Sequence, residues 1–210
     1  DCLERPIPNL LTLKSCKVLV PAPVNMRKYF MALIAKQTAL AKKKKPASVT
    51  VKLNSLSDEI LIDELYQAAR QGVDLSFVIR GIFCGVMDQK VFKKKPKALS
   101  IVDQYLEHAR VFIFGVGDAQ QVFISSADWM VRNLDHRVEV ACPIHDQSIK
   151  EELSHIMNIQ LAENEKARIL DATLINDYVT VAEAEPVVRS QVAIYQYLKE
   201  KQYGIEPGSH

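Results

Sequence analysis

A chain of 210 residues, 48% apolar and 25% charged, can bury a sizeable core. Extensive disorder is therefore excluded, and one large domain, with or without pieces of a neighbour, is the expected organisation. The formal net charge of +2 is close to balanced, so no global field points to nucleic acid or a membrane surface. No apolar run approaches the roughly 18 residues of a membrane span, and no signal peptide heads the chain. Cys2, Cys16, Cys84 and Cys142 lie far apart without paired spacing. They fit reduced, buried thiols in a cytosolic protein better than a zinc site or a disulfide framework. The opening "DCLERPIPNL" lacks an initiator methionine, which suggests a piece of something longer.

The first expected element is a short strand, Lys17 to Val20, closed by Pro21 and Pro23. "VNMRKYFMALIAKQTALAKKKK" reads as a helix, because Met26, Tyr29, Phe30, Leu33, Ile34 and Leu40 recur largely at three- and four-residue steps. Lys42 to Lys45 suit its C-terminus and Pro46 stops it; the lysines read as a solvated helix end rather than a nucleic-acid patch. "SVTVKLNSL" is a strand. "SDEILIDELYQAARQGV" is a helix with Ser57 as N-cap, acidic residues in its first turn and Gly72 as its stop. "DLSFVIRG" is the next strand, followed by the loop-like "IFCGVMDQKVFKKKPKAL". "SIVDQYLEHARVFIFG", "QVFISSADW" and "RVEVACPI" supply further strands. Helices near Asp146 to Asn164 and Pro186 to Lys201 follow, and "YGIEPGSH" suggests a frayed end. The order predicts a mixed α/β sheet flanked by helices.

In open α/β sheets ligands sit beyond the carboxyl ends of strands. Those ends carry Lys52 and Asn54, then Arg80, then Ser125, Ser126 and Asp128. His108 and Arg110 stand at the entry of a strand whose return partner ends in Ser-Ser-Ala-Asp, so a tight hairpin would set them side by side. Arginine grips two phosphate oxygens at once, while serine and asparagine donate neutral hydrogen bonds, so the set suits a phosphate. Each residue also has a plainer reading. His108 could be a satisfied structural histidine, Arg80 a salt-bridge partner, Ser125 and Ser126 a strand-end turn, and Asp128 a local cap. His136, His145 and His155 show no metal spacing and read as surface or structural. No Walker loop, GxGxxG, GxSxG or HExxH occurs.

Taken together, "GVDLSFVIRGI", "ALSIVDQYLEHARVFIFG" and "QVFISSADWMVRNLDHRVEVACPI" resemble the C-terminal catalytic region of the bacterial polyphosphate kinase family. The resemblance extends through "VTVKLNSLSDEILIDELYQAARQGV", "KARILDATLINDYV" and "VRSQVAIYQYLKEKQ". It implies an α/β, phospholipase D-like mixed sheet flanked by helices, the second of two related domains. Residues 1–22 would then be a linker or the tail of the preceding catalytic domain, 23–204 the C-terminal domain, and 205–210 a flexible end. By the same resemblance His108-Ala109-Arg110 is the second-half counterpart of the phospholipase D His-x-Lys motif, with arginine in the lysine's place. His108 is the expected catalytic residue, and Arg80 and His108 the expected ATP/phosphate-binding pair. Lys52, Asn54, Arg110, Ser126 and Asn133 are possible supporting residues, and no metal ligand is expected within the chain.

The implied reaction is reversible transfer of the terminal phosphate of ATP to polyphosphate, through a phosphohistidine on the preceding domain. This fragment alone would be inactive. Transfer asks for in-line positioning and charge neutralisation, with Mg²⁺ expected mainly through ATP and the other domain. His108 would hydrogen-bond the phosphoryl group or protonate the departing oxygen, and Arg80 would clamp a nucleotide phosphate. The expected partners are ATP or ADP, inorganic polyphosphate and preceding domains of the same chain, with a homo-oligomer open and neither nucleic acid nor a membrane span. The expected location is cytoplasmic, with membrane association an open alternative. An Arg-Pro-Gly turn frequent in the family after the arginine is absent between Cys84 and Lys97. Lys93, Lys94, Lys95 and Lys97 stand there instead, either a solvated loop or part of a polyphosphate path. Two alternatives stand beside the kinase: a phosphoanion-binding module without catalysis, and a phospholipase D-type phosphodiesterase, which the Arg110 replacement disfavours.

Overall fold

The short, largely apolar runs "VTVKL" and "LSFVI" make two strands whose last three residues are buried on both faces, which requires helices above and below. The computed structural model of the chain describes residues 13–173, 175–180 and 185–204. Cys2 and the expected flexible end at 205–210 lie outside the described residues. Eight strands form one sheet: β1 (Val20–Ala22), β2 (Ser48–Leu53), β3 (Asp74–Ile79), β4 (Lys97–Ile101), β5 (Arg110–Phe114), β6 (Gln121–Ser125), β7 (Glu139–Ile144) and β8 (Ala167–Ile169). The helices are α1 (Met26–Lys42), α2 (Glu59–Gln71), α3 (Val131–Asp135), α4 (Gln147–Leu161) and α5 (Ser190–Tyr203).

The strand order is β1-β7-β6-β5-β2-β3-β4-β8. Pairs β2–β3 and β3–β4 are parallel, and the remaining neighbours are antiparallel. One face buries Val49, Val51, Leu75, Phe77, Phe112 and Phe114 against α1 and α2. The other buries Val78, Leu99, Val111, Ile113 and Val122 against Met157 of α4. The mixed sheet between helical layers is the predicted class.

Several local expectations are corrected. The first strand begins at Val20 rather than ending there, and it runs through Pro21. It pairs antiparallel with β7 at the sheet edge, where a proline without an N–H is tolerated. The cap of α2 is Asp58, not Ser57: its Oδ1 accepts from the Leu61 N–H at 3.0 Å. The N–H groups of both Ser57 and Asp58 are tied to the Trp129 carbonyl at 2.9 Å. Gly72 closes α2 at φ +93°, a left-handed conformation that favours glycine. Strand β4 lies across the boundary between the expected loop and the following strand segment, since a short run with four buried residues carries no alternation. Strand β8 and the one-turn α3 were not anticipated, and α5 starts at Ser190 rather than near Pro186. Cys16 and Cys84 are free but exposed and Cys142 is half-buried, so none of the described thiols is a core residue. No helix among the described residues is long and apolar enough to cross a membrane.

Candidate functional site

The loops leaving β2, β3 and β6 are laced together at one end of the sheet. Leu56 forms parallel bridges with both Phe83 and Trp129. The Leu56 N–H donates to Ile82 at 2.8 Å, the Cys84 N–H to Leu56 at 2.9 Å, and the N–H groups of Ser57 and Asp58 to Trp129 at 2.9 Å. Trp129 is fully buried and packs on Phe112 and Phe30, with ring centroids 5.1 and 5.6 Å away. Because β5 runs antiparallel to both β2 and β6, its entry joins these exits, with Arg110 opposite Ser125. The predicted convergence of strand ends is therefore present.

Arg80, directly after β3, meets His108, just before β5. Its Nη2 lies 3.3 Å from His108 Nδ1 and donates to Asn54 Oδ1 at 2.5 Å. A guanidinium can only donate, so in this contact Nδ1 accepts and Nε2 carries the imidazole proton. Among the described residues no carboxylate pairs with Arg80, and its buried Nε has no hydrogen-bond partner. The plain salt-bridge reading of Arg80 is thus not what the structure shows. Gly81 makes the geometry possible. Its N–H donates to the Asn54 carbonyl at 2.7 Å, and a Cβ there would sit 2.9 Å from that same oxygen. His108 is exposed.

Arg110 points away from this pair, and its partner is Asp128. The Arg110 Nε and Nη2 donate to the two carboxylate oxygens at 3.2 and 2.9 Å, while Nη1 donates to the His108 carbonyl at 3.0 Å. Asp128 Oδ1 also accepts from the N–H groups of Asn54 and Ser55, at 2.8 and 3.0 Å. Burial pushes the Asp128 carboxyl up, but its hydrogen bonds to Arg110 and to those N–H groups outweigh burial and hold it below the usual carboxylate range. Asp128 is therefore not a helix cap. It joins the Asn54 turn to the start of β5, two residues after His108. The alignment of Arg110 with Ser125 in the hairpin, three residues before Asp128, was the available signal for this pair.

The remaining candidates have other partners. Lys52 is buried and donates to Glu107 and, at 2.9 Å, to Gln160 Oε1. Burial lowers its pKa, Glu107 opposes that shift, and the nearby Arg80 adds repulsion. Ser126 donates to Glu139, and Asn133 donates to the same carboxylate at 2.7 Å. Among the described residues none of these three hydrogen-bonds Arg80, Asn54 or His108. Ser125 forms a local turn, accepting from the Ala127 N–H at 3.0 Å. Lys93, Lys95 and Lys97 are exposed, as is Lys94, which pairs with Asp74. His136, His145 and His155 are exposed, the last stacked on Tyr197.

Arg80 and His108 offer N–H donors, while the neighbouring carboxylates are taken: Asp128 accepts from four N–H groups, and Glu107 from Lys52, Gln160 and Gln191. That donor set does not suit Mg²⁺, which takes oxygen ligands. Among the described residues no cluster of three or more His, Cys, Asp or Glu side chains could hold a metal. A guanidinium beside an imidazole N–H can chemically offer hydrogen-bond donors to a phosphate-like anion.

Residues 19–191 match the family described as polyphosphate kinase C-terminal domain 2. The chain is 40% identical over 181 residues to polyphosphate kinase of Klebsiella pneumoniae, and 42% identical over the same length to that of Vibrio cholerae. Each alignment covers 86% of this chain and 26% of the relative, so the chain spans about a quarter of their length. The crystal structure of polyphosphate kinase from Porphyromonas gingivalis superposes with a TM-score of 0.85 at 39% identity, over 90% of this chain and 29% of that one. NucT from Helicobacter pylori (TM-score 0.52, 16% identity, 72% of this chain, 97% of that one) and the phospholipase D family member Nuc from Salmonella typhimurium (0.51, 13%, 73% and 97%) share the fold alone. The predicted phospholipase D-like sheet is thereby established, and the chain belongs to the polyphosphate kinase family as its C-terminal domain 2.

Proposed function

We propose that this domain supplies one half of a divided phosphoryl-transfer site. The reaction is reversible transfer of the terminal phosphate of ATP to polyphosphate, through a phosphohistidine carried by a preceding domain of the same chain. The observation that carries the reading is the Arg80–His108 pair at 3.3 Å, with the guanidinium uncompensated by any carboxylate among the described residues. Arg80 clamps a nucleotide phosphate, and its free N–H groups match charge spread over phosphoryl oxygens. Holding Nδ1 as acceptor leaves the His108 Nε2–H to face the transferred group or the departing oxygen. Asn54 and Gly81 fix the guanidinium, and Asp128 with Arg110 fixes the His108 backbone.

Mg²⁺ enters this proposal as a counterion on the ATP phosphates and through the other domain; no residue here is assigned to it. A cytoplasmic location follows from use of ATP and belongs to the same proposal. The isolated domain, lacking the phosphorylated histidine, binds nucleotide or polyphosphate weakly and makes no polymer. The test is ATP-dependent polyphosphate synthesis by the full-length enzyme carrying His108→Ala or Arg80→Ala. Each variant is expected to lose about 100-fold or more in turnover while remaining folded by circular dichroism. Near-parental turnover in both would overturn the assignment. Polymer synthesis by the isolated domain would show that the nucleophile is misplaced.

A further inference from the structure

His108 lies in the segment 102–109, which has no helix or strand and exposes Val102, Tyr105 and Leu106. A segment without its own secondary structure holds a side chain only as well as its tethers do. The tethers are concentrated on two residues that no sequence motif marks. Gln191, in the first turn of α5, clamps the backbone of Tyr105 from both sides: its Oε1 accepts from the Tyr105 N–H at 3.0 Å, and its Nε2 donates to the Tyr105 carbonyl at 2.8 Å. The same Nε2 donates to Glu107 Oε1 at 3.0 Å. The other Glu107 oxygen accepts from Lys52 of β2 and from Gln160 of α4. Nearby, Arg189 grips Asp103 with two hydrogen bonds of 2.7 and 2.8 Å.

Glu107 is the residue immediately before His108, and Lys52 lies two residues before Asn54, which holds Arg80. One carboxylate thus ties the histidine's segment to the strand that orients the arginine and to both helices of the α4–α5 layer. Burial pushes the Glu107 carboxyl up, but the Lys52 charge and hydrogen bonds from Lys52, Gln191 and Gln160 outweigh it and hold it ionised. None of these groups hydrogen-bonds Arg80, Asn54 or the His108 ring among the described residues.

We infer that Glu107 and Gln191 are positioning residues for His108, forming with the buried Lys52 and Gln160 a half-buried polar strut that sets the imidazole against Arg80. The inference rests on the proposed role of His108. Misplacing a group that acts in the transition state lowers kcat, whereas loss of ground-state phosphate binding raises KM. Displacement of a reacting group by about 1 Å costs on the order of 100-fold. Releasing one tether of several is therefore expected to cost somewhat less.

The experiment compares Gln191→Leu, Glu107→Gln and His108→Ala in the full-length enzyme, by steady-state kinetics with ATP and by thermal melting. Gln191→Leu removes three hydrogen bonds without stranding a charge, and Glu107→Gln keeps an oxygen for Lys52, so the two variants perturb the strut independently. The expected result is a fall in kcat of about tenfold or more for Gln191→Leu, with KM for ATP within about twofold of the parent, and a similar split for Glu107→Gln. With a folded Gln191→Leu enzyme, kcat within threefold of the parent overturns the inference. Should that variant melt below the assay temperature, Glu107→Gln decides by the same criterion. A rise in KM alone overturns it as well. His108→Ala separates the two levels: if it retains parental kcat, the role of His108 itself fails; if it is inactive while both strut variants keep parental kcat, only the positioning role fails.

Discussion

Replacing Asp128 by alanine removes the acceptor for four N–H groups at once. The Asp128 side chain is 5% exposed and that of Arg110 11%, so solvent offers little compensation to the guanidinium left behind. Breaking a buried pair by deleting one partner costs about 3–5 kcal/mol. The orphaned N–H groups of Asn54 and Ser55 each add up to about 1–3 kcal/mol unless water reaches them. Partial hydration of the new cavity offsets some of this, and about 4 kcal/mol is the expected loss. In a domain of this size each kcal/mol moves the melting temperature by about 2–4 °C, so a drop of about 8–16 °C is expected. Asp128→Asn keeps an oxygen for the two backbone donors while losing the charge, and should cost roughly half as much. Urea unfolding of the chain followed by circular dichroism measures all three proteins, and the double variant Asp128→Asn/Arg110→Met measures the coupling. A loss below about 1 kcal/mol for Asp128→Ala would refute the view that this carboxylate joins the Asn54 turn to the start of β5.

The acid side of the stability profile should report the same group. Its folded pKa lies below the ordinary value of about 3.9, so its contribution is complete above that pH and is lost as pH falls through the lower folded value; the stability gap between parent and Asp128→Asn should narrow below about pH 4 in acid titrations of urea midpoints. Gly81→Ala places a methyl 2.9 Å from the Asn54 carbonyl, so the Arg80 turn must shift; full-length enzyme with this change should lose about tenfold or more in kcat/KM for ATP, and parental kinetics would show that the turn is compliant. Changing Lys93, Lys95 and Lys97 together to glutamine should alter polyphosphate affinity by less than about threefold in a filter-binding assay, because exposed cations on a solvated loop contribute little; a larger loss would place the polymer on that loop.

Much of the fold was legible because burial leaves periodic traces. Helices α1, α2 and α4 follow from apolar residues at three- and four-residue steps, and β2, β3, β5 and β6 from short apolar runs bounded by turns. Strand β4 was less legible, since its consecutive buried residues carry neither period, and β8 was hidden because three residues are too few to pattern. The cap of α2 shows a competition that local chemistry cannot judge. Ser57 and Asp58 are both capable caps; the Trp129 carbonyl, more than seventy residues away, holds both their N–H groups, and in that arrangement it is the Asp58 carboxylate that accepts from Leu61.

At the site, residue type and strand-end position offered Lys52, Asn54, Arg80, His108, Arg110, Ser125, Ser126 and Asp128 alike, and the family resemblance singled out Arg80 and His108. Position alone could not show that Lys52, Ser126 and Asn133 are committed to Glu107 and Glu139. Nor could it reveal that Asp128 serves Arg110, or that Gln191 holds Tyr105 from 86 residues away. Chain order thus determined the elements, the family and the types of donor available. Which donors stay free of a carboxylate and which are neutralised by one was decided only by the packing of segments distant in sequence. Hydrogen bonding acts over about 3 Å, and sequence separation carries no information about that distance.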